Sequence, residues 1–342
     1  MDLGKMKLGK RTILKLPLNQ QLKYTPDDLR WATPQPVADY RAQRLRCKTI
    51  ADIGCGIGFQ AFSLAKTCQK VYAIDIDGDK LQRAKSNAAA LGLRNIEFIH
   101  GDALDQKVVG KLKYVDIIFC DPQRPAQEKE RSLEQISPNI KTLIQVYSKL
   151  TSKLAVEFPP QMKEIHFDCE REYLSVDGAL NRLTLYFNEL KQAERSAVVL
   201  PGGQRLLSSP KKAVLKKSQR LLPYFYEVDP AVVKAGLLAE LSQQTATALY
   251  VQEKSTFFTS KVITESSFFK LSFKVLRETN LNKKEIISAL QQEGAGTVII
   301  RYRISPLQYW PERKMFESSL VGKKTVQLFR FGEKAVIAEN AG

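Results

Sequence analysis

Residues 49–65 read TIADIGCGIGFQAFSLA: a short apolar run holding one acid, glycines at alternate positions, then apolar residues at helical spacing. Few local patterns restrict a chain this strongly. The run is a strand, the glycines permit a tight turn through positive φ, and the remainder is a helix. A strand that feeds a helix in this way calls for a parallel partner strand after it. The chain supplies several: "KVYAIDID", "IEFIHGDAL", "YVDIIFCDP" and "SKLAVEF" are strands, with "DGDKLQRAKSNAAALGL" and "ISPNIKTLIQVYSKL" as helices between them. The alternation predicts an α/β fold, a mostly parallel sheet with helices on both faces. "REYLSVDGALNRLTLYF" predicts a hairpin closing that sheet, with Asp177 and Gly178 in the turn.

At 342 residues the chain exceeds one ordinary core, so two domains are expected. Pro201, Gly202, Gly203 and Pro210 punctuate the join. The expected division is a basic N-terminal arm over 1–30, the α/β domain over 31–200, a basic linker over 201–224 and a smaller α+β domain over 225–342. In the last, "DPAVVKAGLLAEL" is a helix opened by Asp229 and Pro230. "FFKLSFKVL", "NKKEIISALQQEG" and "GTVIIRYRI" then read strand, helix, strand, and "KTVQLFRFG" and "KAVIAEN" are two strands.

The net charge of +17 is unevenly placed. Residues 1–50 carry 11 Lys and Arg against 4 Asp and Glu, residues 51–200 carry 20 against 20, and residues 201–342 carry 22 against 12. Cation concentrated on the flanks points to a polyanionic partner, nucleic acid above all. Lys211, Lys212, Lys216, Lys217, Lys323 and Lys324 supply part of it, and on "VIIRYRI" Arg301 and Arg303 share a face opposite Tyr302. Five scattered cysteines without a Cys-x-x-Cys pair suit reduced thiols, and two distant histidines suggest no metal centre. No apolar run approaches the roughly 18 residues of a membrane span, so a cytoplasmic protein is expected.

Three acids sharpen the glycine-rich turn. Asp52 sits inside it, where a cofactor ammonium could pair; Asp75 ends the next strand, where ribose hydroxyls are read; Asp102 ends the one after, where an adenine amine could be accepted. Over residues 31 to about 200 these motifs resemble the class I methyltransferases, with "DIGCGIG" as their first motif and "DPQRP" as their fourth. The resemblance implies a Rossmann-like sheet and S-adenosylmethionine as cofactor, bound by Asp52, Gly54, Gly56, Gly58, Asp75 and Asp102. A dinucleotide dehydrogenase has a similar loop but no need of Asp52.

"FCDPQRPA" carries the expected chemistry. Methyl transfer to an exocyclic amine is hard because the nitrogen lone pair is delocalised into the ring. Asp121 and the carbonyls fixed by Pro122 can accept the amine hydrogens. Methyltransferases of base nitrogens usually place an aromatic residue after a second proline to clamp the base. Here Arg124 offers a flat guanidinium instead. Attack through a pyrimidine C5 would need a cysteine, and Cys120 points away from Asp121 by strand alternation. From "YEVDPAVVKAGLLAELS" onward the chain resembles the THUMP-like domain that follows some methyltransferases, which implies RNA as partner. The expectation is an S-adenosylmethionine-dependent RNA methyltransferase acting on tRNA, at a purine nitrogen and preferably the N2 of guanosine. Its rivals are an enzyme acting on rRNA, DNA or a protein amide, and a non-catalytic RNA-binding protein that retains the fold.

Overall fold

Strands buried on both faces are rich in apolar residues, and β1 (Thr49–Ile53), β4 (Ile117–Cys120) and β5 (Leu154–Phe158) are of that kind, with Asp52 and Glu157 the acids among them. In the computed structural model, which describes residues 22–122, 137–162, 165–253 and 255–341, they form the centre of a sheet. β2 (Lys70–Asp75) and β3 (Ile96–His100) complete its parallel part. β6 (Cys169–Val176), β7 (Ala179–Phe187), β8 (Arg195–Leu200) and β9 (Gln204–Leu207) extend it. Among the described residues the order is β3-β2-β1-β4-β5-β7-β6-β8-β9. This is the Rossmann-like α/β arrangement the alternation predicts, with Ile50, Leu64, Val71, Ala73, Ile117 and Phe119 in its core.

The hairpin is present, turning through Asp177 and Gly178 at φ 50° and 68°. It does not close the sheet, because β8 pairs parallel with β6 and β9 then pairs with β8. Residues 204–207, expected in the linker, therefore belong to this sheet. Residues 22–30, expected in the basic arm, also fold here. Thr25 and Asp28 form a reciprocal capping box that opens a helix at Pro26–Trp31. Residues 1–21 of that arm, and Gln123, Arg124 and Pro125, lie outside the described residues.

The chain divides into units Met1–Leu207 and Ser208–Gly342. In the second, β10 (Tyr224–Val228), β11 (Ala248–Gln252), β12 (Thr256–Ser260), β13 (Phe269–Asn280), β14 (Ala295–Ile300), β15 (Lys324–Phe331) and β16 (Lys334–Asn340) form another sheet. Its order among the described residues is β11-β12-β10-β13-β16-β15-β14. Helix Lys283–Gln292 buries Ile286, Ala289 and Leu290 against Val298, Val326 and Ile337. Phe225, Phe257, Phe273 and Phe329 build a second apolar centre, with Phe225 and Phe329 edge to face at 4.9 Å.

Two expectations here are corrected. The helix over "DPAVVKAGLLAEL" is two helices, Pro230–Ala235 and Leu238–Thr245, because Gly236 adopts φ 68° and ends the first. The strand over "GTVIIRYRI" stops at Ile300. The following Pro306–Glu317 is a helix despite two prolines: Pro306 occupies its first position, and Pro311 is tolerated inside it. Among the described residues no helix is long and apolar enough to cross a membrane.

Candidate active site

The carboxyl ends of β1, β2, β4 and β5 and the Pro26–Trp31 helix bound a cavity of about 370 Å³, a size suited to a small-molecule ligand. Asp52, Gly54, Gly56, Asp75, Asp121 and Pro122 all line it. Sheet register is what collects them. Ile53 pairs with Cys120, so Gly54 and Asp121 leave their strands side by side, and the Asp121 amide donates to the Ile53 carbonyl at 3.1 Å.

Asp52 is 1% exposed, and its Oδ2 has no hydrogen-bond partner among the described residues. Burial first, then the carboxylates of Asp121, Asp75 and Glu157, push its carboxyl up to about 8 against the pull of Arg41. An unsatisfied carboxyl of this kind calls for a cation from a ligand. Asp75 is held ready by two amides: Gly56 donates to Oδ2 at 2.6 Å and Asp77 to Oδ1 at 2.9 Å. Each oxygen keeps a lone pair for a hydroxyl.

The glycines have separate reasons. A Cβ on Gly54 would stand 2.7 Å from the Asp121 carbonyl oxygen, so it is the backbone of β4 that excludes a side chain there. Gly56, at φ +53°, has nothing within 4 Å of a Cβ and faces open space. Gly58 is not among the cavity-lining residues; at φ +92° it opens helix Phe59–Ala65, where a Cβ would meet the Phe62 ring at 2.6 Å. Asp102 is likewise not among the residues that line the cavity. It is exposed and accepts from the Leu104 amide at 2.9 Å. Arg124 lies outside the described residues.

Sequence reasoning missed Glu157, Arg182 and Arg41. Glu157 lies next to last in β5, is 2% exposed and lines the cavity. Its Oε2 takes Arg41 from helix Gln35–Arg44, and its Oε1 takes Arg182 from β7. Arg41 is 1% exposed and also donates to Gln60 Oε1 at 2.7 Å. Burial opposes its charge, but Glu157 overrides this and holds it as a cation. The available signal was an acid inside "LAVEF", a run with no other polar residue. Trp31 was missed as a lining residue as well. Its helix is anchored by Arg83 Nε to Asp28 Oδ2 at 2.8 Å and by a two-way pair, Lys23 amide to Asn87 Oδ1 at 2.7 Å and Asn87 Nδ2 to the Lys23 carbonyl at 2.9 Å.

The donor set fits S-adenosylmethionine. Asp52 suits its ammonium, Asp75 its ribose hydroxyls, and the open face of Gly56 leaves room for its passage. Among the described residues no group of three His, Cys, Asp or Glu is arranged to hold a metal ion.

Residues 46–194 match the family described as a methyltransferase domain. An uncharacterized S-adenosylmethionine-dependent methyltransferase of Mycobacterium tuberculosis is 26% identical over 226 residues, 64% of this chain and 60% of that protein. The chain thus spans about 60% of the length of this curated relative. An uncharacterized RNA methyltransferase of Clostridium acetobutylicum is 31% identical over 103 residues, 29% of this chain and 22% of its own. A 23S rRNA (uracil(1939)-C(5))-methyltransferase of Shewanella sp. is 32% identical over 112 residues, covering 32% and 23%. The crystal structure of a candidate methyltransferase from Porphyromonas gingivalis W83 superposes with a TM-score of 0.74 at 15% identity. It covers 93% of this chain and 83% of its own, and so shares the fold. Residues 46–194 thus carry the match to a methyltransferase domain, and S-adenosylmethionine-dependent methyltransferases are among the proteins the chain is similar to.

Proposed function

We propose that the chain is an RNA methyltransferase acting on tRNA, with the exocyclic N2 of guanosine as acceptor. The observation that carries this reading is Asp121, a carboxylate followed by proline, lining the cavity one strand from Asp52, whose Oδ2 has no hydrogen-bond partner among the described residues. When bound, S-adenosylmethionine would supply an electrophilic methyl group, its carbon–sulfur bond breaking to leave the neutral thioether S-adenosylhomocysteine. Asp121 accepts the amine hydrogens, which localises the nitrogen lone pair towards that methyl group. It then holds the proton that the amine gives up as the new carbon–nitrogen bond forms.

The uracil C5 chemistry named for the Shewanella relative finds no support in the cavity of this chain. Cys55 lines it, but burial and then Asp52 push its thiol well above the usual range. Cys120 is fully buried and also raised, chiefly by burial. Neither is a ready thiolate.

The second unit supports RNA as substrate. Lys211, Lys212, Lys216, Lys217, Lys323 and Lys324 are exposed, and none pairs with a carboxylate among the described residues. We read this unit as a THUMP-like RNA anchor. The test is mass spectrometry of nucleosides from tRNA of a strain lacking the gene, before and after treatment with the protein and S-adenosylmethionine. Restoration of N2-methylguanosine is expected; a methylated nucleoside of another base would overturn the guanosine assignment.

A further inference from the structure

In the sheet order β1-β4-β5-β7, Arg182 stands two strands beyond Asp121 and three beyond Asp52. At about 4.8 Å per strand, roughly 14 Å of sheet separates its backbone from the glycine-rich turn. It nevertheless lines the same cavity. Arg182 thus belongs to the side where an acceptor enters, away from the cofactor's side.

Its guanidinium is built in. Nε faces Glu157 Oε1, Nη1 reaches the Asn181 carbonyl at 3.4 Å, and Nη2 makes no hydrogen bond among the described residues. Glu157 cannot swing away because Arg41, almost fully buried, holds its other oxygen. With a side chain 21% exposed, Arg182 presents a fixed donor to the cavity.

We propose that Arg182 donates to the carbonyl oxygen of the acceptor base and thereby selects guanine over adenine. This rests on the guanosine reading above. Guanine presents N2–H, N1–H and O6 in a row along one edge. A carboxylate satisfies the two N–H groups, and O6 then needs a donor at the far end. Adenine presents an amine, an unprotonated ring nitrogen and a C–H in the same three places. It would leave the carboxylate facing a lone pair and Arg182 facing nothing. Leaving one donor of the partly enclosed guanidinium unmet is what makes such a site selective.

The test compares pools of unmodified tRNA transcripts made with guanosine or with 6-thioguanosine, which keeps both N–H groups but replaces O6 by a weak acceptor. Wild-type kcat/KM should favour guanosine by at least about tenfold. In Arg182→Met the ratio should fall to near one, with S-adenosylmethionine affinity by calorimetry unchanged. Arg182→Lys keeps a cation beside Glu157 but loses the planar fork, so it too should lose most of the ratio while still binding cofactor. It decides the matter if the Met variant does not fold. A retained ratio in either folded variant, or a loss of cofactor affinity in the lysine variant, would overturn the proposal and leave the guanosine reading standing. Failure of the wild type to methylate guanosine in the transcripts would remove both.

Discussion

The carbonyl oxygen of Asp121 occupies the position a side chain at Gly54 would need, 2.7 Å from its Cβ. The chain leaving β4 at Asp121 and the chain leaving β1 can approach this closely only with glycine at position 54. Alanine at a left-handed position costs about 1–2 kcal/mol in backbone strain, and both Gly54→Ala and Gly56→Ala bear that. Gly54→Ala adds a collision with backbone, which cannot rotate aside. It should lose clearly more stability in urea titrations than Gly56→Ala, and more turnover because Asp121 is displaced. Equal losses in the two variants would contradict this packing.

Asp52 makes cofactor binding depend on pH. Its carboxyl, raised to about 8 from an ordinary 3.8, keeps in the free protein a proton that the unfolded chain releases. Its contribution to stability is therefore complete below about pH 3.8 and lost as pH rises through about 8. Pairing with a ligand ammonium favours the ionised carboxylate, so binding at neutral pH should release a proton. Affinity should rise towards pH 8. Calorimetry in two buffers of different ionisation enthalpy reads the proton directly, and Asp52→Asn should abolish its release.

Removal of the acceptor carboxylate should separate binding from chemistry. Asp121→Ala is expected to lower single-turnover methylation of tRNA by about 10²–10⁴-fold with little change in affinity for either ligand. Asp121→Asn, which keeps one acceptor oxygen, should fall between. A parallel loss of tRNA or cofactor affinity would mark Asp121 as a structural cap.

Behind the cavity, Arg44 is clamped between Glu170 at 2.7 Å and Glu172 at 2.5 Å, both carboxylates at most 1% exposed. Burial alone would raise Glu170, but Arg44 and the Ser196 hydroxyl hold it below its ordinary 4.5. Its contribution is thus present above about pH 4.5 and lost as pH falls. Arg44→Met leaves two buried acids without this partner and should cost about 3–5 kcal/mol at pH 7. Its stability should also decline less steeply than that of the wild type below pH 4.5.

The cationic second unit should act as an electrostatic anchor. Affinity of the whole chain for tRNA should fall steeply with salt as counterion release is lost. Residues 1–207 alone should bind tRNA more weakly with a shallower salt slope, while keeping cofactor affinity. Equal tRNA affinity of the two would take the second unit out of the interface.

What could be read in advance follows how far each signal travels along the chain. The turn through Gly54, Gly56 and Gly58 and the acid at the end of β4 are written in consecutive residues, and so were legible. Glu157 with Arg41 and Arg182 is not. These three come from separate elements and meet only through the pairing of β5 with β7 and the packing of a helix across them. No local period announces such a meeting. Asp102 follows β3 as the motif order requires, exposed, with one carboxylate oxygen accepting from the Leu104 amide. In the second unit, Pro306 and Pro311 hid a helix that tertiary packing of Phe316 secures.

The short helix Pro26–Trp31 lines the cavity, yet it precedes residues 46–194, the portion that matches the methyltransferase family. Arg41, which fixes Glu157, also precedes it. The heritable module and the working enclosure therefore have different borders. A chimera that exchanges only the matched segment would import a floor and leave behind one wall and the tether of another. Exchange that carries residues 22–44 along with it would transplant the vessel whole.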